Sequence, residues 1–465
     1  MTTTTPTPEP VDQAAAPPVR LVHRRGRWID GWDPEDVVFW ADRGRRIAGR
    51  NLRWSIFAEF LGFIVWQLWS IVVVMLPKAG FELDTSQTFW LISVPSLVGA
   101  TLRFPYTFMV ARFGGRNWTI VSAALLLIPA VLLGIVVQHP GTPFGVLLVV
   151  AGLAGFGGGN FASSMANITY FFPQREKGWA LGLNAAGGNI GTAVAQFAVP
   201  IAVTVGAAGT LNIALAGWMW IPLILVAVWG AWRFMDNLSS AKTDPGAAAA
   251  ALREPHLWLL SLLYVGTFGS FIGFAGVFPK LMADQFPELS TLQVGTASVS
   301  LAFLGALVGS LARPYGGRLA DRWGGARMTV LAFAVMALGA LALVLVLPMR
   351  SLPLFLGCFL VLFAATGMGN GSTYRMIPHV FAARAVDAAD GGAAMRRKGA
   401  AALGLIAAIG AYGGFLVPQT LNASQTATGS YTAAFLGFVA AYAVLLVLTA
   451  VVYAVPRRGL AWQRI

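Results

Sequence analysis

From Leu52 onward the chain alternates long apolar runs with short polar breaks. A helix needs roughly 20 apolar residues to cross a hydrocarbon layer. Runs of that order fall near 55–77, 89–112, 118–137, 144–170, 178–203 and 211–233. The polar stretch DNLSSAKTDPGAAAAALREP (236–255) interrupts them. A second set follows near 257–280, 294–318, 327–347, 352–375, 399–420 and 431–454. The pattern predicts an all-α membrane protein with 12 transmembrane helices in two six-helix bundles.

The expected organisation is a tail (1–53), a first bundle (54–235), a linker (236–256), a second bundle (257–454) and a C-terminal tail (455–465). Residues 1–19 are rich in Thr, Pro and Ala and read as a disordered lead. Segment 29–51 mixes tryptophans with charges. It reads as either a short amphipathic element on the membrane surface or an irregular tail.

Composition removes the soluble alternative. Apolar residues make up 57% of the 465 and charged residues 11%, against about 25% charged in ordinary soluble domains. Cys358 is the single cysteine, so disulfide frameworks and cysteine metal clusters are excluded. The net charge of +13 could suggest nucleic acid, but its distribution points elsewhere. With the N-terminus inside, 26 of the 32 Lys and Arg fall in inside segments. Three (Lys78, Lys280 and Arg350) fall outside, and Arg103, Arg313 and Arg375 fall within or at the edge of spans. That bias is the positive-inside pattern of a multi-pass protein with both termini cytoplasmic. Anionic lipid, not nucleic acid, is the expected partner of the basic ends.

The halves repeat one another. LRFPYTFMVARFGGRNW (102–118) matches LARPYGGRLADRWGGAR (311–327), with a Gly-Gly pair beginning 11 residues after each arginine. GFGGGNFASSMANITYFFPQREKG (155–178) matches ATGMGNGSTYRMIPHVF (365–381), and REKGWALGLNAAGGNIG (175–191) matches RRKGAAALGLIAAIGAYGG (396–414). Repeats six spans apart keep the same membrane orientation, which describes two bundles about a pseudo-two-fold axis along the membrane normal.

Arg103 and Arg313 are the leading site candidates. An arginine in hydrocarbon is costly unless it faces a cavity or a partner, and the spans offer almost no acids. Glu59 reads as lying near the start of the first, and Asp321 follows the eighth. Paired guanidinium forks at matching positions fit a small oxyanion; snorkelling arginines are the bland alternative. Asn189 is a candidate donor, while Asn160, Asn167, Asn184 and Asn370 are expected to make structural hydrogen bonds. Gly187, Gly188, Gly413 and Gly414 allow close helix approach and are candidates for gating contacts. Asp321 and Arg322, in GGRLADRWGGAR (316–327), are candidates for a charged gate in a loop after the eighth span. Phe63, Phe161, Tyr264 and Phe268 could wall a flat anion, though most aromatics in such a chain are core. Enzyme signatures are lacking: the four histidines have no ligand spacing, and no GxxxxGK[ST] occurs. No cofactor or metal is expected.

The GGRLADRWGGAR segment resembles the signature loop of the major facilitator superfamily. GFGGGNFASSMANITYFFPQREKGWALGLNAAGGNIG resembles the nitrate signature of its nitrate/nitrite porter family, of the bacterial NarK type, and GMGNGSTYRMIPHVF resembles the second-half counterpart. The resemblance spans about Leu52 to the end of span twelve. It implies that Arg103 and Arg313 clamp nitrate or nitrite between the halves, that Asn189 bonds the anion, and that Phe63, Phe161, Tyr264 and Phe268 line the pocket. It also implies that the glycines of spans five and eleven take part in closure. Two departures stand out. FMVARFGGRNW (108–118) lacks the acidic residue that the second half keeps as Asp321, and an additional outer loop is expected around 281–293.

The functional expectation is a nitrate/nitrite antiporter working by alternating access, with no enzyme activity. It would act as a monomer in the bacterial cytoplasmic (inner) membrane. Proton-coupled symport is the alternative. Exchange is favoured because no titratable carboxylate or histidine reads as lying deep in a span. A channel, a sensor, and another small monovalent anion are the further rivals.

Overall fold

A computed structural model describes residues 21–205, 211–242, 244–294, 296–386 and 392–454. The lead at 1–19 and the C-terminal tail at 455–465 lie outside these residues. Ten helices among them, some running through a short break, are long and apolar enough to cross a membrane. They are span one (Val37–Val72), span three (Gly115–Val136), span four (Phe144–Phe171), span five (Gln174–Thr204), span six (Leu215–Phe234), span seven (Pro255–Gln285), span nine (Gly325–Met349), span ten (Leu352–Ala385), span eleven (Arg397–Thr428) and span twelve (Thr432–Ala454). Span two (Thr85–Phe113) and span eight (Phe303–Trp323) complete the expected order. These two carry Arg103 and Arg313, and their polar and proline residues lower their mean hydropathy.

Several boundaries differ from the sequence reading, each for a local reason. The main helix of span one begins at Arg45, so the expected boundary at 53–54 falls inside it, and Glu59 lies about midway along its 28 residues instead of near its start. Span eight begins at Phe303, not near 294. The preceding apolar stretch is rich in Thr, Ser and Val and forms a hairpin, Thr291–Val294 with Ala297–Ser300. β-branched and hydroxyl residues favour that extended pairing. The outer insertion expected at 281–293 is therefore a helix end followed by this hairpin. GGRLADRWGGAR is not a loop. The helix runs through Trp323, and Gly324 alone turns the chain, at φ +94°. Gly114 does the same after span two, at φ +87°. An L side chain is strained in that conformation, which accounts for the first glycine of each pair; Gly115 is helical, and a Cβ there would strike Asn167.

The segment before span one is neither a free tail nor a separate surface helix. Strands Val22–Arg24 and Trp28–Asp30 pair antiparallel, and Asn237–Leu238 adds in parallel beside the second. Asp236 fastens this sheet to span one. Its carboxylate accepts from Arg27 at 2.8 Å, Arg50 at 2.6 Å and Asn51 at 2.9 Å. Trp40 donates to Glu176 of span five at 2.8 Å. The N-terminal segment thus packs on the basic end of the first bundle.

A dense aromatic cluster fills the second bundle's core. Phe271, Phe274, Phe278, Phe359, Phe363 and Phe435 interlock, with Phe278 and Phe359 centroids 4.6 Å apart. The two halves meet through spans two and eleven and through spans five and eight, with span seven also touching span one and bonded to span five. Gln196 donates to the Ala275 carbonyl at 2.7 Å, Gln419 donates to Ser93 at 2.7 Å, and the Thr101 and Tyr412 hydroxyls are 3.0 Å apart.

Candidate functional site

The glycine run of span four prepares the site. A Cβ on Gly158 would stand 2.7 Å from Trp66, and one on Gly99 would stand 2.8 Å from the same indole. Gly157 lies directly against the Gly62 carbonyl. Only hydrogen at these positions lets spans one, two and four close around Trp66, whose indole donates to the Pro95 carbonyl at 2.8 Å. That close packing carries Phe161, three residues beyond Gly158, to the centre.

Phe161 lies between the arginines. The Arg103 guanidinium carbon is 4.5 Å from its ring centroid and that of Arg313 is 5.9 Å away. Phe268 lies 5.1 Å and Trp66 5.4 Å from Arg103, and Tyr374 lies 5.9 Å from Arg313. Phe268 stacks between Phe161 and Tyr264, at 6.1 and 5.3 Å. Phe63 meets Phe161 edge-on at 6.2 Å. All but the partly buried Tyr374 are buried; Arg103 is 0% exposed and Arg313 5%. Aromatic faces attract cations and replace part of the hydration that burial removes.

The two arginines keep donors free. Arg103 donates from Nε to the Gly158 carbonyl at 3.0 Å and from Nη1 to the Ala407 carbonyl at 2.8 Å. Its Nη2, together with Arg313 Nη1 and the Tyr264 hydroxyl, is buried without a hydrogen-bond partner among the described residues. A buried donor left unpaired costs about 1–3 kcal/mol, more when charged. A cluster of such donors fits an acceptor-rich anion. It fits a metal poorly, and no metal-binding group of His, Cys, Asp or Glu occurs among the described residues.

The remaining candidates divide. Asn189 is buried in span five beside Gly188, and both its amide atoms lack partners among the described residues; no hydrogen bond joins it to either arginine. The expectation of structural hydrogen bonding is met by Asn184, which donates to Glu59 at 2.6 Å and Ser164 at 2.5 Å. It is not met by Asn160 and Asn370, whose buried amides have no partner among the described residues. Gly187 lies against Ile56, Gly413 against Gly269, and Gly414 against Ile272 and Ser96. Asp321 pairs with Arg375 of span ten, inside its own bundle, instead of with Arg318, Arg322 or Arg327. Arg322 is exposed at the end of span eight.

The sequence reading missed Trp66 and Tyr374. Tyr374 was findable: it stands four residues after Asn370, as Ser164 stands four after Asn160 in the matching motif. Trp66 carried no signal among 16 tryptophans. A cavity of about 410 Å³ lies away from the arginines, toward the end opposite the basic residues, lined in part by Lys78, Thr88, Gln196, Lys280 and Ser298. Near it Tyr431 donates to Asp284 at 2.5 Å, and burial beside that carboxylate pushes the phenol up from its ordinary value.

A profile described as Major Facilitator Superfamily matches residues 58–418. The chain is 43% identical over 446 residues to "Nitrate/nitrite transporter NarU" of Escherichia coli K12, covering 91% of this chain and 95% of that one. It is 36% identical over 459 residues to "Probable nitrate/nitrite antiporter NarK2" of Thermus thermophilus, covering 94% and 99%. Among solved structures it is similar to a bacterial homolog of the human lysosomal transporter Spinster, captured inward-facing and occupied. The TM-score is 0.58 at 17% identity, over 86% of this chain and 94% of that one. That likeness concerns the fold alone.

Proposed function

The chain belongs to the major facilitator superfamily and, within it, to the nitrate/nitrite porters, and on that premise we propose that it brings nitrate into the cell and takes nitrite out by alternating access. The observation that carries this reading is the set of buried donors without partners, Arg103 Nη2, Arg313 Nη1 and the Tyr264 hydroxyl, gathered around Phe161. Nitrate and nitrite are flat and small, they fit between aromatic faces, and their oxygens accept from planar forks. Asn189 is assigned as a further donor, with Phe63, Phe161 and Phe268 as walls. The relatives' printed names and the signature in spans four and five support this substrate pair.

Arg103 and Arg313 lie on opposite bundles, so an anion between them draws the halves together, and rocking about it gives alternating access. Gly187, Gly188, Gly413 and Gly414 are assigned as the sliding contacts, and Asp321 as a charge that steadies one gate state. One chain supplies both arginines, which supports a monomer as the working unit in a lipid bilayer. The charge bias supports cytoplasmic termini.

One-for-one exchange is the mode proposed. A site whose guanidinium and phenol donors lack an acceptor resists closing when empty, so the outgoing nitrite resets it. Proton-coupled symport is the second reading. Glu59, expected near a span end, is buried deep beside the site and gives that reading a physical basis. Proteoliposomes decide between them. Exchange requires nitrate uptake that depends on internal nitrite or nitrate. Uptake into anion-free vesicles under an inward proton gradient overturns strict exchange.

A further inference from the structure

Glu59 has a counterpart in the other bundle, and the counterpart is Tyr264. Arg103 and Arg313 are 210 residues apart, as are Asn160 and Asn370. Glu59 and Tyr264 are 205 apart, so this pair is matched by local spacing and contacts. Glu59 stands four residues before Phe63, and Tyr264 stands four before Phe268. Gly188 and Gly410 hold matching places in GLNAAGGNIG and GLIAAIGAYG. A Cβ on Gly188 would stand 2.5 Å from Glu59 Oε1 and 3.0 Å from Phe63, while one on Gly410 would strike the Tyr264 ring. The same glycine of the repeat thus covers Glu59 in one half and Tyr264 in the other. One side of the pseudo-two-fold axis presents a phenol and the other a carboxyl.

The surroundings of Glu59 are polar but uncharged at contact distance. Oε2 accepts from Ser164 at 2.5 Å and from Asn184 at 2.6 Å, and Ser55 extends the cluster to Ser164 at 2.9 Å. Oε1 has no hydrogen-bond partner, and Glu59 forms no ion pair, among the described residues. Charged and titratable groups act on it from a distance: Arg103 on span two, Arg313 on span eight and Tyr374 on span ten. Spans four and five, packed directly on it, present Ser164, Asn184 and Gly188. A permanent counter-ion would be expected to pair with an arginine. A carboxyl with one oxygen free and neutral neighbours is placed to take up and release a proton.

We propose that Glu59 is the proton-binding group of this carrier and that its proton travels with the anion. The proposal rests on the nitrate and nitrite reading above. The step is the addition of one proton from the buffered solution, whose acid form becomes its conjugate base, to the Glu59 carboxylate while nitrate binds the guanidiniums. Proton and nitrate together leave the net charge of the site unchanged. Protonation also removes a negative charge that competes with nitrate for the arginines, so each ligand favours the other, and the coupling is reciprocal. Exchange stays charge-balanced when both anions carry a proton.

Calorimetry of nitrate binding to the purified protein tests this, using buffers of different ionisation enthalpy between pH 5.5 and 8. The expected result is one proton taken up per nitrate within part of that range, with affinity rising by up to about tenfold per unit of acidification. Glu59→Gln is expected to bind nitrate with no proton uptake and an affinity flat with pH. Wild-type binding without proton uptake overturns the proposal alone, and that arm needs no variant. Equal proton uptake by folded Glu59→Gln overturns it too. A wild-type protein that binds neither nitrate nor nitrite overturns the substrate assignment and this proposal with it.

Discussion

Arg103 and Ala407 belong to opposite bundles, and Nη1 of the first donates to the carbonyl of the second across 2.8 Å. The same guanidinium holds the Gly158 carbonyl through Nε and keeps Nη2 unpaired among the described residues. One side chain therefore anchors in its own half, reaches the other half, and still has a donor for an anion. The Ala407 carbonyl lies in span eleven, three residues before Gly410. A shift of that helix would move an acceptor relative to the arginine.

Lysine cannot reproduce this three-way geometry although it keeps the charge. Arg103→Lys and Arg313→Lys are each expected to weaken nitrate binding. Loss of one charge-assisted hydrogen bond is worth about 1.5–3 kcal/mol. That corresponds to about 10- to 150-fold in dissociation constant. Titration calorimetry on folded variants checks it, and affinity within threefold of wild type would remove the clamp assignment.

The glycines of span five separate cleanly by space. A Cβ on Gly188 meets Glu59 and Phe63, whereas one on Gly182 meets nothing within 4 Å. Gly188→Ala is expected to cost about 1–3 kcal/mol through overpacking and to slow uptake sharply. Gly182→Ala should be neutral or stabilising by about 0.5–1 kcal/mol, because alanine loses less backbone entropy. Uptake rates together with thermal unfolding in detergent compare the two; equal effects would sink the packing argument.

Asp236 joins the N-terminal sheet to span one through three donors. Its side chain is buried, but Arg27 and Arg50 are 31% and 35% exposed, which lessens the cost of leaving them unpaired. Asp236→Ala is expected to lower stability by about 2 kcal/mol and to expose residues 21–44 to protease. Limited proteolysis followed by mass spectrometry reads this directly. Cleavage no faster than in wild type would show that the strands hold the segment without the clamp.

The Asp321–Arg375 pair is roughly half exposed, at 54% and 42%. Pairs of that kind contribute about 0–1 kcal/mol. Asp321→Asn should therefore barely move the unfolding temperature, while a role in steadying a gate state requires a clear fall in transport rate. An unchanged rate would leave the pair as surface decoration.

The order of helices, the two-bundle repeat and the two arginines were legible in the sequence, because apolar run length and charge bias are local properties that a membrane enforces strongly. The site aromatics rose above the other aromatics only through the family resemblance; composition could not separate Phe161 from the Phe278 and Phe359 core. Trp66 had no distinguishing signal, since its place depends on glycines in two other helices. Span eight was read too early because apolar content does not separate a Thr-, Ser- and Val-rich hairpin from a helix end. Glu59 reads as near a span end because the apolar run begins after the charged stretch Arg45–Arg53, whereas the helix itself begins at Arg45. The sequence alone could say which side chains enter the membrane, since hydrophobicity is summed along the chain. Only the tertiary structure could decide which of them meet, since burial, free donors and the Glu59–Tyr264 correspondence arise between helices distant in sequence.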